Sequence, residues 1–112
     1  MMFKQPQVPG IAATDVAARL GGDESQRPIV VDVREPDEWA EGHIAGALHI
    51  PLGQLAARVA EIPRDHDLVL VCHSGQRSAL ATAMLQRAGF TRAGNLTGGM
   101  VAWEDHHLPV ER

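Results

Sequence analysis

The chain has 112 residues, 45% of them hydrophobic and 21% charged, with a formal net charge of −4 and a single cysteine. That length suits one domain over residues 1–112, with a radius of gyration of roughly 13 Å and about two-thirds of its unfolded surface buried. A lone cysteine excludes an intramolecular disulfide framework, a CxxC redox pair and a thiolate zinc cage, and the mild acidity argues against nucleic acid as a partner.

The N-terminus, MMFKQPQVPG, carries no apolar core of a signal peptide. No run approaches the ~18–20 apolar residues of a membrane span. The expectation is a soluble cytoplasmic protein, with no membrane partner, whose thiol stays reduced.

A short strand is expected near Val8–Ile11. Val16 and Leu20 then precede Gly21-Gly22, which reads as a short helix and its end. Ile29–Val33 is a β-branched run introduced by Pro28, and a helix holding Trp39 follows it. Ala47–Ile50 reads as another strand. Leu55, Val59 and Ile62 recur at helical spacing until Pro63 stops the segment. Leu68–Val71 is continuously apolar, as strands buried on both faces of a parallel sheet are.

A helix is expected to open near Ser78, with Leu80, Ala81, Met84, Leu85 and Ala88 as its apolar stripe. Gly89 supplies its stop, and Phe90 is placed to pack back. Arg92–Leu96 is the last strand, and Met100 and Trp103 mark a final helix broken at Pro109. Strands alternating with helices at this spacing predict an α/β sheet, parallel because helical crossovers join parallel strands.

The chemistry concentrates where Leu68–Val71 runs into Cys72. The loop His73-Ser74-Gly75-Gln76-Arg77 lies at the carboxyl end of a strand and the amino end of a helix. Unpaired backbone N–H groups and the helix dipole stabilise a thiolate in such a place. Gly75 lets successive N–H groups converge on an anion, Arg77 adds a fixed positive charge for an anionic substrate, and Ser78 is positioned to cap the helix. An isolated cysteine after an apolar strand is more often an inert core residue. The conjunction of strand, Cys72, Arg77, Ser78 and amphipathic helix argues for a nucleophile instead.

Cysteine phosphatases place five residues between Cys and Arg, whereas here there are four, His73 to Gln76. The tighter nest suits a small group riding on sulfur, which favours sulfur transfer over phosphate hydrolysis. Asp32 and Arg34 end their strand at the same rim, as a buried ion pair anchoring the next loop or as substrate-orienting groups; the paired reading is preferred. Gly42 and His43 read as the turn after the Trp39 helix, and Trp39 and Trp103 as packing residues. His106-His107 diverge on a helix with no third ligand spaced to join them, so no metal is expected.

Three motifs carry a family resemblance. Val31-Asp32-Val33-Arg34-Glu35 with Glu38-Trp39-Ala40-Glu41-Gly42-His43-Ile44-Ala45-Gly46-Ala47, then Cys72-His73-Ser74-Gly75-Gln76-Arg77-Ser78, then Gly98-Gly99-Met100-Val101-Ala102-Trp103 together resemble the signatures of single-domain rhodaneses. The resemblance runs over about residues 8–109. It implies a five-stranded parallel sheet flanked by helices on both faces, and a sulfurtransferase without cofactor or metal. Cys72 would be the nucleophile. His73, Ser74, Gly75, Gln76, Arg77 and Ser78 would form the substrate-binding loop.

In that mechanism the thiolate takes sulfur from thiosulfate or a persulfide and passes it to cyanide or a thiol, on a small molecule or a protein. A module that keeps the fold as a non-catalytic sulfur carrier or regulatory domain is the alternative. Neither His73 nor Gln76 bears a permanent charge, which leaves Arg77 as the loop's one fixed cation. The oligomeric state stays open.

Overall fold

A computed structural model describes residues 6–112. Two strands form the centre of the sheet: β2 (Ile29–Asp32) and β4 (Leu68–Val71), paired in parallel from Ile29 opposite Leu68 to Asp32 opposite Val71. β5 (Ala93–Leu96) lies beyond β4 and the short β1 (Gly10–Ile11) beyond β5; β3 (Leu48–His49) borders β2 on the opposite edge. The order is β1-β5-β4-β2-β3, with every pairing parallel. The radius of gyration is 13.0 Å.

Among the described residues the α-helices are α1 (Ala13–Leu20), α2 (Pro36–Glu41), α3 (Gln76–Arg87) and α4 (Gly99–Asp105); α1, α3 and α4 cover the sheet, whereas α2 buries none of its residues. Alternation along β4 divides the core into two layers. Val69 and Val71 pack with Val16 of α1 and Met100 and Trp103 of α4. Leu68 and Leu70 face the other way, onto Ala81 and Leu85 of α3 and onto Phe90. Cys72 continues the Leu68–Leu70 parity, so it emerges from the sheet beneath α3. Among the described residues no helix is long and apolar enough to cross a membrane.

Where the chain departs from expectation, the reason is local. The apolar residues at 55–62 do not form an α-helix. The segment instead forms two 3₁₀ turns, Leu52–Gln54 and Val59–Glu61, followed by Leu55 and Ile62 and joined by irregular turns. Leu52 with Leu55, and Val59 with Ile62, are pairs three residues apart, which a 3₁₀ turn brings into line. Each pair closes an N–H to C=O bond (3.2 and 3.1 Å) and all four residues reach the α3-side core. Pro51 and Pro63 bracket a segment too short to nucleate a stable α-helix by itself.

α3 opens at Gln76, two residues ahead of Ser78, with Gly75 as its cap. Its buried face is Ser78, Ala81, Thr82 and Leu85, spaced i, i+3, i+4, i+7, whereas Leu80 is 45% exposed. Two polar residues therefore sit on the inward stripe. Thr82 is satisfied locally, its Oγ1 donating to the Ser78 carbonyl at 2.7 Å. At the other end Phe90 N donates to Leu85 O (2.9 Å) and Gly89 N to Gln86 O (3.1 Å), the two bonds of a Schellman stop. Phe90 and Leu85 are both buried in the same core, as the Gly89-Phe90 pair predicts.

β3 contracts to two residues because the chain turns at Pro51, although Ile50 N still donates to Asp32 O at 3.0 Å. β2 ends at Asp32, while Val33 N adds one further bond to Val71 O at 2.9 Å. The loops after β2 and β4 thus leave the same edge of the sheet side by side. Strand succession reverses there, from outward toward β3 to outward toward β5, and such a reversal opens a crevice in a parallel sheet.

Candidate active site at the end of the central strand

Cys72 follows β4 directly and is 1% exposed. The loop curls over it because Gly75 takes φ +102°, a left-handed conformation that a side chain would resist. The curl turns amide groups back onto sulfur. Sγ accepts the Gly75 N–H at 3.1 Å and the Ser78 N–H at 3.3 Å, and lies 3.2 Å from the Ser78 hydroxyl. Burial pushes the thiol up, but donation from the Ser78 hydroxyl and from the Ser78, Gly75 and Ser74 amides outweighs it. The net effect holds the Cys72 thiol below its ordinary value.

The carbonyls of the loop point the opposite way. Met100 N donates to Cys72 O (2.9 Å) and Val101 N to His73 O (3.0 Å), so the first turn of α4 holds the outer edge of the strand exit. This close approach needs Gly99: a Cβ there, at φ +58°, would run into the carbonyl oxygens of Cys72 and His73. The Gly98-Gly99-Met100 motif is thus a backbone clamp on the cysteine.

Arg77 is engaged by a carboxylate. Its guanidinium makes two parallel bonds to Glu38 of α2, Nη1 to Oε1 at 2.7 Å and Nη2 to Oε2 at 2.8 Å. These bonds, with the backbone N–H of Glu35, outweigh burial and hold the Glu38 carboxyl down at about 2. The network continues inward. Arg34 donates from Nη1 to Glu38 O (3.2 Å), from Nη2 to Gly42 O (2.7 Å), and through Nε and Nη2 to the buried Asp32 carboxylate. Arg34 and Asp32 are 5% and 1% exposed, an ion pair that fastens the loop after β2.

Of the loop residues singled out from sequence, Cys72, Gly75 and Ser78 converge, Arg77 faces Glu38, and His73, Ser74 and Gln76 are exposed. Ser78 lies in the first turn of α3 and does not cap it, because its hydroxyl turns toward Cys72 and Asn95. Gly42 and His43 close α2, His43 Nδ1 pairing with the Trp39 carbonyl at 2.9 Å. Trp39 stacks on His43 with ring centroids 3.6 Å apart, and Trp103 is buried with Nε1 donating to Pro109 O. His106 and His107 are exposed at the end of α4.

The roles of two residues are not visible in the sequence. Glu38 stands in the first signature motif, but nothing there marks Arg77, 39 positions away, as its partner. Asn95 sits in β5, where its sole signal was polarity inside a buried strand. Its Oδ1 accepts the Ser78 hydroxyl at 2.5 Å and its Nδ2 donates to Gly75 O at 3.0 Å.

A model of the rhodanese-like domain matches residues 12–106. The sequence is 45% identical over 82 residues to a sulfurtransferase of Allochromatium vinosum, covering 73% of this chain and 77% of that protein. It is 34% identical over 96 residues to the putative sulfur carrier protein YrkF of Bacillus subtilis, covering 86% of this chain. The match takes in 51% of that relative, so the chain spans about half its length. The crystal structure of a rhodanese-related protein from Thermoplasma volcanium superposes with a TM-score of 0.83 at 30% identity, over 92% of this chain and 97% of that one.

Proposed function

Because the chain belongs to the rhodanese-like domain family, we propose that its 112 residues act as one domain that moves sulfane sulfur from a donor to a thiol acceptor through a persulfide on Cys72. The observation that carries this reading is the convergence of the Gly75 and Ser78 amides and the Ser78 hydroxyl on a single buried sulfur. Donors fixed around an atom that becomes negative stabilise it without reorganisation.

In the first half-reaction the Cys72 thiolate attacks the outer sulfur of the donor. The donor's S–S bond breaks, and its electron pair leaves on sulfite when the donor is thiosulfate or on a thiolate when it is an organic persulfide. In the second, an acceptor thiolate or cyanide attacks the outer sulfur of the persulfide and the Cys72 thiolate is restored. The chain has no second cysteine to attack the persulfide internally. An external acceptor, a small thiol or a protein thiol, closes the cycle. A reducing cytoplasm suits a site that depends on one free thiol.

The engagement of Arg77 by Glu38 bears on the donor. With that charge neutralised, the loop offers amides and no unpaired guanidinium to a substrate. A persulfide, with less charge than the thiosulfate dianion, is the better match, and thiosulfate is a slower donor. Relationship to a putative sulfur carrier supports a second reading, in which loading is fast and release awaits a particular partner.

Initial rates with glutathione persulfide or thiosulfate varied against cyanide test the proposal. The expected pattern is parallel double-reciprocal lines, abolished by Cys72→Ser. Intersecting lines, or turnover that persists in Cys72→Ser, would contradict a persulfide intermediate. Full loading with negligible turnover on any small acceptor would favour the carrier reading.

A further inference from the structure

The Ser78 hydroxyl has one proton and two acceptors within reach, Cys72 Sγ at 3.2 Å and Asn95 Oδ1 at 2.5 Å. It can serve only one at a time. The orientation of the Asn95 amide is not free: its Nδ2 donates to the Gly75 carbonyl, which also accepts the Ala79 N–H at 3.1 Å. A carbonyl accepts and cannot donate, so the nitrogen of Asn95 is fixed on Gly75 and its oxygen on Ser78. Asn95 itself is held by β5, its backbone pairing with Gly10 of β1 on one side and Leu70 of β4 on the other. A rigid sheet thus presents a fixed acceptor to the hydroxyl that touches the sulfur.

We propose that Asn95 is a positioning residue for sulfur transfer, holding the Ser78 hydroxyl away from sulfur in the thiol state and yielding it when the sulfur becomes anionic. In the thiol state the chain of donation runs from Cys72 S–H to Ser78 Oγ and from Ser78 O–H to Asn95 Oδ1, and every proton has an acceptor. Once the thiol proton has left for solvent, Sγ is a stronger acceptor than an amide oxygen, and the Ser78 O–H rotates onto it. No bond to carbon or sulfur changes in this step. Competition from Asn95 keeps part of the population as thiol at rest, and without Asn95 the Gly75 carbonyl still accepts the Ala79 N–H. Asn95 also borders a small cleft beside Ser74, Gly75 and Thr97, open to solvent.

The ionisable groups near the loop are Arg77 paired with Glu38, Arg34 paired with Asp32, Glu35 at the start of α2, the exposed His73, and Glu41, Glu104 and Arg112, which share a cleft with His73. β4, β5 and the first turn of α4 contribute none. None of these is altered by changing Asn95 to an apolar residue, so the thiol's titration isolates the hydroxyl.

The inference rests on the proposed role of Cys72, but its test needs no sulfur transfer. The rate of Cys72 alkylation by iodoacetamide is followed against pH in wild type, Asn95→Leu, Ser78→Ala and the double variant. Asn95→Leu should move the midpoint down and speed alkylation at neutral pH by about fivefold, the size of one hydrogen bond. Ser78→Ala should move it up, and Asn95→Leu should then have no further effect. An Asn95→Leu change of equal size in both backgrounds, no change, or an upward shift would overturn the proposal.

If Asn95→Leu does not fold, Asn95→Val serves, since it removes the acceptor without adding a charge and suits a strand. Its midpoint should fall, and the fall should vanish in the Ser78→Ala background; an equal fall in both would overturn the proposal. Should the cycle show this coupling while no sulfane donor loads Cys72, the sulfur-transfer reading fails and only the hydroxyl's control of the Cys72 thiol stands. Loading without coupling is the reverse case.

Discussion

Arg77 and Glu38 meet through two parallel bonds of 2.7 and 2.8 Å, joining the cysteine loop to the first helix after β2. The cation separated from the nucleophile by four residues is a fastener between two loops before it is a substrate ligand. Its bond geometry is that of a bidentate guanidinium–carboxylate pair, the strongest form such a pair takes.

Removing the acid should therefore change donor preference. Glu38→Gln keeps the shape of the side chain and releases Arg77. The ratio of kcat/KM for thiosulfate to that for glutathione persulfide should rise by about fivefold, since a partly exposed charge pair is worth up to ~1 kcal/mol. Steady-state kinetics with both donors checks this, and an unchanged ratio would show that Arg77 takes no part in selecting the donor.

The same pair makes acid stability depend on Glu38. Its carboxyl is held at about 2 against an ordinary 4.5, chiefly by the hydrogen bonds from Arg77. A depressed carboxyl stabilises the fold above the unfolded value, and that contribution is lost as pH falls from 4.5 through 2. Urea midpoints measured across this window should fall more steeply in wild type than in Glu38→Gln. Solvent screening keeps the difference small.

How far the chain could be read beforehand follows from the range of each interaction. β2 and β4 were visible because Ile29–Asp32 and Leu68–Val71 are unbroken runs buried on both faces, a pattern that needs no partner to be recognised. The stop at Gly89-Phe90 was equally local. The segment reads as a helix because Leu55, Val59 and Ile62 have helical spacing, whereas the backbone closes i to i+3 bonds at Leu52–Leu55 and Val59–Ile62 that side-chain spacing does not report. Within the site, Cys72 and Gly75 were legible from their place between strand and helix. Asn95 and Glu38 reach the loop only through the sheet and α2, across 17 and 39 positions.

α3 offers a direct test of which face is inward. Leu85 is 2% exposed and Leu80 is 45% exposed, although both belong to the apolar stripe of the sequence. Leu85→Ala should cost about 2–5 kcal/mol by opening a cavity beneath Phe90. Leu80→Gln should stay within about 0.5 kcal/mol. Chemical denaturation of the two variants checks the assignment.

The α4 clamp predicts that Gly99 tolerates no side chain. In Gly99→Ala the new methyl group would collide with the carbonyls of Cys72 and His73 and displace the loop. Stability should fall by about 2 kcal/mol or more, as it does for strain at a special backbone position. Cys72 alkylation should shift toward the behaviour of a free thiol, measured as its pH midpoint.

The central claim is that sulfur rides on Cys72. Intact mass after incubation with glutathione persulfide, or with thiosulfate, measures this directly. One added sulfur atom per chain, removed by cyanide and absent from Cys72→Ala, is the predicted result. No adduct from either donor, or the same adduct on Cys72→Ala, would contradict it.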